Sequence, residues 1–151
     1  MVIVVPPNSV IYAIVLVHAL VSGYHGWSHD YAAVPNTLAQ SLFIVAVVFV
    51  SPLLAVVLLI CGRIHSGIAI FALSMLGALI FGLLFHFALD TPDLYSNVRG
   101  IGSQTFFVSA VLLAAVEFIA FAWGGYCWWC LITCRSSGTP QKRGAVGRRS
   151  S

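Results

Sequence analysis

Histidine is the residue type whose number and spacing in this chain best suit chemistry. Five histidines occur among 151 residues that include only 7% charged residues. His18, His25 and His29 are spaced seven and four residues apart, so on an uninterrupted helix they fall within about 20° of one line. Imidazole is a common ligand of transition metals. The first apolar segment is therefore predicted to present a histidine face.

A ridge of small residues in the third apolar segment leads to a further histidine. Small residues allow helices to approach closely in lipid, so this ridge is expected to bring His86 beside the first segment. His25 and His86 are both predicted to lie at the outer end of their helices. Asp30 and Asp93 are available there as further oxygen ligands or as acceptors for imidazole N–H groups. The ridge is Ser74, Ala78, Gly82, His86 and Asp90, and the predicted metal ligands are His25, His29, His86 and Asp90.

Two or three imidazoles with a carboxylate suit zinc, copper or non-haem iron. Two facing histidines could instead ligate a haem between helices. The alternative needs no ligand, because Tyr24, Trp27 and Tyr31 around these histidines are typical of helix anchors at the lipid head groups. A helix break at Gly23 or Gly26 would also destroy the alignment. The sequence alone is consistent both with a metal or haem site and with helix anchoring.

Glu117 is the only acidic side chain within any of the four long apolar segments. A carboxylate at bilayer depth is costly unless it is protonated or paired. His18 lies about 14 Å along the first segment, and Glu117 lies about 18 Å along the fourth segment, which begins on the opposite side of the membrane. In a hydrocarbon core about 30 Å thick, the two residues therefore lie at similar depths. We predict a buried polar pair of His18 and Glu117. It would act as a pin between helices, as a proton relay or as a carboxylate ligand of the metal site.

The cysteines form a separate candidate site at the opposite, cytoplasmic end of the helices. Thiolates bind zinc and iron–sulfur clusters, and Cys127 and Cys130 form a CxxC. Trp128 and Trp129 fill that motif, however, and no second CxxC accompanies it. Free interfacial thiols, or lipidation sites, are therefore the favoured interpretation. The four thiols are Cys61, Cys127, Cys130 and Cys134.

These side chains must be positioned by membrane helices. With 60% hydrophobic residues and a mean hydropathy of +1.01, the composition excludes an ordinary soluble domain. Each apolar segment has the roughly 20 residues that a helix needs to cross a bilayer. The prediction is an all-α integral membrane protein, an antiparallel bundle of four transmembrane helices in one domain over 1–134. The helices are expected at about 9–26, 37–61, 66–89 and 105–126, and Pro52 is expected to kink the second.

The distribution of basic residues predicts the orientation. Arg63 lies in the second connection, and five further Lys and Arg residues follow the fourth segment from Arg135 onward. Basic residues gather on the cytoplasmic side, so both termini are expected there and the histidines are expected to face outward. The tail, 135–151, has little to bury and is predicted to be disordered, basic and cytoplasmic. Its charge suits lipid head groups and not nucleic acid.

The sequence therefore predicts a multi-pass protein of the cell membrane that acts as a metal- or haem-binding subunit or accessory factor. Its expected partners are the lipid bilayer and either other membrane subunits or further copies of the chain. A structural subunit without a ligand is the main alternative, and a metal-dependent membrane enzyme is a third. Phosphate loops, dinucleotide fingerprints, HExxH and nucleophile elbows are absent from the sequence, so no reaction is assigned.

Overall fold

The computed structural model describes residues 7–136, with side chains described up to residue 133. Within this range the chain is helical and contains no strand. Four of its helices are long and apolar enough to cross a membrane, which confirms that part of the prediction. We name them helix 1 (Asn8–Tyr31), helix 2 (Leu38–Ile60), helix 3 (Ile64–Ala88) and helix 4 (Ser103–Ser136).

Two helices extend beyond their predicted ends. Helix 1 continues past Gly26 to Tyr31, because Ser28 and His29 are buried against other elements and hold the last turn in place. Helix 4 continues to Ser136, and buried Cys127 and Cys130 lie in its added turns. The first two residues of the predicted disordered tail are thus helical. The remainder of that tail, 137–151, lies outside the described residues.

Local chemistry determines the start of helix 2 and the turn that follows it. Helix 2 opens with a capping box, in which Thr37 Oγ1 accepts from the Gln40 backbone N–H and Gln40 Oε1 accepts from the Thr37 backbone N–H. Between helices 2 and 3, Gly62 adopts a φ of +75°, a conformation that side chains other than glycine rarely tolerate. The connection from helix 2 to helix 3 is therefore a tight turn.

The core draws on all four helices. Helix 3 packs against helices 2 and 4, and helix 1 packs mainly against helix 4. A smaller cluster, formed by Val34, Val98 and Phe106, joins the first and third connections over the start of helix 4. This cluster closes one end of the molecule. The main core consists of Ile11, Val15, Ala55, Leu59, Ile68, Phe71, Met75, Ala120 and Cys127.

Two helices contain π-helical segments, Ile44–Val50 in helix 2 and Leu84–Ala88 in helix 3. The first immediately precedes Pro52, where the proline ring disturbs the α-helical hydrogen-bond pattern. Ser51 Oγ donates to the Ala46 carbonyl at 2.8 Å and so satisfies one backbone acceptor in the widened turn. The second segment carries His86. Such segments often occur at functional sites, and both line the cavity described below.

The outside of the bundle is apolar, unlike that of a soluble bundle. Large apolar side chains such as Leu16, Leu38, Ile60 and Phe118 are exposed along the helices. The buried polar and charged side chains lie inside, between the helices or beneath the connections. They are His18, Ser22, His25, Ser28, His29, Gln40, Ser74, His86, Asp93, Ser109 and Glu117.

Candidate metal centre

His25, His29 and His86 lie together, and we call them the histidine triad. His25 and His29 are one helical turn apart near the end of helix 1, so they share a face. His86 approaches from the π-helical segment of helix 3. All three side chains are buried, with exposed fractions of 5% to 6%. Among the described residues they form the only group of three or more His, Cys, Asp or Glu side chains placed to hold a metal ion.

The Nε2 atoms of the triad converge. His25 Nε2 lies 3.1 Å from His86 Nε2 and 3.2 Å from His29 Nε2. One nitrogen from each residue falls within 4.8 Å of the others. A tetrahedral ion with bonds of about 2.0–2.1 Å separates its ligand nitrogens by about 3.3–3.4 Å. The two short separations in the triad therefore match two edges of such a coordination sphere.

The opposite nitrogen of each ring faces an oxygen atom. His29 Nδ1 donates to the Val34 carbonyl and His86 Nδ1 donates to the Asp93 carbonyl, each over 3.4 Å. Because a carbonyl oxygen only accepts, both Nδ1 atoms must carry a proton. In neutral imidazole the Nε2 atoms of these two residues are then left with free lone pairs that point into the triad.

The tautomer of His25 depends on its serine neighbours. Its Nδ1 lies 2.8 Å from Ser109 Oγ. The Ser109 hydroxyl is within donating distance of the Phe106 carbonyl, and the Ser28 hydroxyl is within donating distance of the His25 carbonyl. The two hydroxyls also lie 2.8 Å apart, so two hydroxyl hydrogens serve more contacts than they can all fill. When both hydroxyls donate to carbonyls, His25 Nδ1 is the donor and its Nε2 directs a lone pair into the triad. When Ser109 instead donates to His25 Nδ1, His25 Nε2 carries the proton and donates to His86 or His29.

In the first arrangement, three lone pairs at these distances repel one another unless a positive charge lies between them. A metal ion supplies that charge, and an N–H group donating to oxygen is the usual support behind a histidine ligand. The Phe106 ring packs on all three imidazoles, with centroids 4.9–5.5 Å away. Phe106 is fully buried and shields this side of the triad from solvent.

The acids near the triad are placed differently from the prediction. Asp90 is exposed and accepts a hydrogen bond from Asn97 Nδ2, so the structure does not bring it to the three histidines. Asp93 lies closer, because the connection after helix 3 folds back over its end. Asp93 Oδ2 accepts from Gln40 Nε2 at 2.6 Å, whereas buried Oδ1 has no hydrogen-bond partner. Burial raises the pKa of the Asp93 carboxyl, while nearby His29 and the Gln40 hydrogen bond oppose that shift.

His18 and Glu117 lie together deeper between helices 1 and 4. His18 Nε2 is 3.5 Å from Glu117 Oε1 and 3.4 Å from Ser22 Oγ. Both members of the His18–Glu117 pair are almost fully buried. The second carboxyl oxygen, Glu117 Oε2, is buried without a hydrogen-bond partner. The pair thus leaves one acceptor unsatisfied.

A cavity of about 170 Å³ lies between the triad and Glu117. All three triad histidines and Glu117 line it, as do residues of both π-helical segments. Apolar side chains form most of the wall between its polar ends. The apolar and glycine lining consists of Gly23, Gly26, Ile44, Val48, Phe49, Ala78, Phe81, Gly82 and Leu113.

The cysteines do not join any described group of three metal-ligating side chains. Cys61 is exposed, whereas Cys127 and Cys130 are buried in helix 4, and all three are free thiols. The Cys134 side chain lies outside the described residues. The proposed thiol site therefore remains a prediction.

Sequence reasoning missed Ser28, Ser109 and Phe106, which surround the triad. Ser109 carried a signal, since it is the only polar residue between Phe106 and Glu117. A polar residue in such a run must find a partner when it is buried. Phe106 carried none, because aromatic residues are common throughout the apolar segments.

Comparison of the chain with protein-family models, with curated proteins and with solved structures found no match. The assignment of function therefore depends on the geometry of the chain itself.

Proposed function

We propose that this chain is an integral membrane protein that binds one transition-metal ion at His25, His29 and His86. One observation carries the proposal: the three Nε2 atoms converge while each Nδ1 faces an oxygen atom. Helix anchoring requires neither feature, because an anchoring histidine points toward the head groups and not toward other histidines.

Membrane insertion is supported by the apolar outside of the bundle. Exposed leucine, isoleucine and valine side chains suit a hydrocarbon solvent, whereas the polar side chains find partners inside. Arg63 in the second connection, together with the basic residues after helix 4, indicates that these regions face the cytoplasm. The first and third connections, and with them the triad, would then face outward.

Zinc is the ion that the distances suit best, and copper or non-haem iron also accept imidazole ligands. A haem suits the site less well. Axial nitrogens on opposite faces of a haem would lie about 4 Å apart with the macrocycle between them. The 3.1 Å separation of His25 Nε2 and His86 Nε2 leaves no room for that arrangement.

The ion would have an open coordination position. Structural zinc sites have four protein ligands, whereas sites with three leave a place for water or another exchangeable ligand. Among the described residues no further His, Cys, Asp or Glu completes the group. This composition favours an ion that takes part in binding or transfer over one that only holds the fold. We therefore propose a metal-binding subunit or accessory factor of a membrane complex, with lipid and further membrane subunits or copies of the chain as its partners.

Metal analysis of purified protein tests the proposal. After chelator treatment, zinc should bind with a stoichiometry of about one per chain, and His25→Ala, His29→Ala and His86→Ala together should abolish binding. His65→Ala is the matched control, because His65 is exposed at the start of helix 3 and should leave the stoichiometry unchanged. Zinc that persists in the triple variant would reject the site. An absence of binding in the unaltered chain would favour the alternative of a structural subunit without a ligand.

Cysteine labelling tests the orientation independently. In a chain whose four cysteines are replaced by serine, an impermeant thiol reagent should reach Ser96→Cys from outside the cell and should not reach Ser66→Cys. The reverse pattern would place the triad on the cytoplasmic side without affecting the metal site itself.

A further inference from the structure

The cavity beside the triad has an unused acceptor at its far end. Glu117 Oε1 faces His18, but buried Glu117 Oε2 lines the cavity without a hydrogen-bond partner. A buried carboxyl oxygen in that state costs free energy that a donor would recover. Gly82 leaves space beside it, since a Cβ at this position would lie 3.7 Å from Oε2. Oε2 is itself buried, so a donor inside the cavity reaches it through a small rotation of the Glu117 side chain.

The size and walls of the cavity indicate what would fill it. Its volume of about 170 Å³ is close to the roughly 150 Å³ of an engineered apolar cavity that binds benzene. Ser22, Asn36 and Asp93 add polar side chains to the lining, while Val48, Phe81 and Leu113 provide apolar contacts. A single water occupies about 30 Å³, so the space has room for several waters or for one six-membered ring.

The cavity opens toward the surroundings of the helices between helices 1 and 2. Gly23 and Gly26 line it, are exposed, and have no heavy atom within 4 Å of the position of a Cβ. Across from them, Ile44 and Phe49 of the first π-helical segment are only half-buried. An apolar molecule dissolved in the hydrocarbon region would reach the cavity by this route.

We propose that the cavity binds a ring-sized apolar molecule carrying a hydroxyl group, a phenol-like ligand, whose O–H donates to Glu117 Oε2. The apolar wall holds the ring, and the carboxyl oxygen selects the hydroxyl over a methyl group of similar size. The ring lies between Glu117 and the triad. This ligand site requires no bound ion, so it stands or falls separately from the metal centre.

The test uses two fluorinated probes of matched size, 4-fluorophenol and 4-fluorotoluene. Binding is followed by fluorine NMR in detergent micelles with chelator present, and protein-free micelles provide the baseline for partitioning. In the unaltered chain 4-fluorophenol should bind about tenfold more tightly than 4-fluorotoluene, the preference expected of one buried hydrogen bond. Glu117→Met should remove that preference and retain the binding of 4-fluorotoluene. Equal binding of the two probes to the unaltered chain, or no binding, would overturn the proposal.

A second variant keeps the test decisive if Glu117→Met does not fold. Gly82→Ala places a methyl group in the cavity at ordinary contact distances from Glu117 Oε2 and His86 Cδ2, so the helix should accept it. It should weaken the binding of both probes several-fold. The control is Gly125→Ala, at an exposed glycine of helix 4 with open space around it. Unchanged binding in Gly82→Ala, or equal losses in both variants, would show that the probes bind elsewhere.

Discussion

The histidine triad and the His18–Glu117 pair share a helix and a residue type but differ in what their partners leave unsatisfied. His18 and His25 are both buried on helix 1, about two turns apart. At the triad, carbonyl oxygens hold the Nδ1 protons of His29 and His86, and with His25 in the same tautomer three nitrogen lone pairs face one another. At the pair, one imidazole meets one carboxyl oxygen and a single proton serves both, while the second carboxyl oxygen has no partner.

This difference separates a site that calls for a cation from one that does not. Three converging lone pairs call for a cation, whereas a histidine and an acid can stabilise each other with no added species. Burial and residue type are the same at both places, so neither of them identifies the binding site. The binding site is identified by the hydrogen-bond partners of Nδ1, the ring nitrogen that faces away from the centre of the triad.

The largest expected effect is a stabilisation by zinc that depends on the triad alone. At free zinc of about 100 times the dissociation constant, the free energy of unfolding of the unaltered chain should rise by about 2.7 kcal/mol, because zinc binds the folded state. His86→Ala should lose this increment and His18→Ala should keep it. The measurement is unfolding in mixed micelles with and without zinc. If both variants lost the increment equally, the triad and the pair would form a single site.

The next effect concerns the hydrogen bond that orients a metal ligand. Ser109→Ala removes the acceptor for His25 Nδ1–H and should weaken zinc binding about 10–100-fold, as expected for the loss of a group that orients a ligand. Ser74→Ala is the matched control, since Ser74 is buried but donates only to the Phe71 carbonyl. Competition with a chromogenic chelator would measure both affinities. Equal affinities in the two variants would contradict the tautomer in which His25 Nδ1 is the donor.

A smaller effect should appear at the pair. In a double-mutant cycle of His18→Gln and Glu117→Gln, the double variant should lose less stability than the sum of the single losses. The coupling is expected near 0.6 kcal/mol, a typical value of about that size for polar contacts between helices in membranes. The cycle is measured by unfolding without metal. Additive losses would mean that the 3.5 Å contact contributes no stability.

The smallest expected effect is the coupling between the two regions. His18 and His25 are seven residues apart, which is about 10.5 Å along a helix. Changes at that separation usually add to within about 0.5 kcal/mol. The losses in unfolding free energy from His18→Gln and His25→Ala should therefore sum in the double variant, measured without metal. A larger deviation would show that the cavity between them transmits strain from one to the other.

The helices and one face of helix 1 could be read from the sequence, because both depend on local properties. Continuous apolar runs predicted the four helices, and the four-residue spacing of His25 and His29 predicted their shared face. The ends of helices 1 and 4 could not be read, since contacts with other elements extend them. Helical periodicity did not predict that Asp93, and not Asp90, lies beside His86. It also did not predict the contact between Ser109 and His25.

By itself the sequence determined how many long apolar helices the chain forms and which side chains share a helical face, because helical geometry repeats along the chain. Tertiary structure alone decided which residues of other helices and connections contact those faces. The approach of His86 depends on how helix 3 docks and on its π-helical segment, and the position of Asp93 depends on a connection that folds back to Gln40. Such contacts join residues far apart in the chain, and their free energies depend on packing, for which local periodicity carries no information.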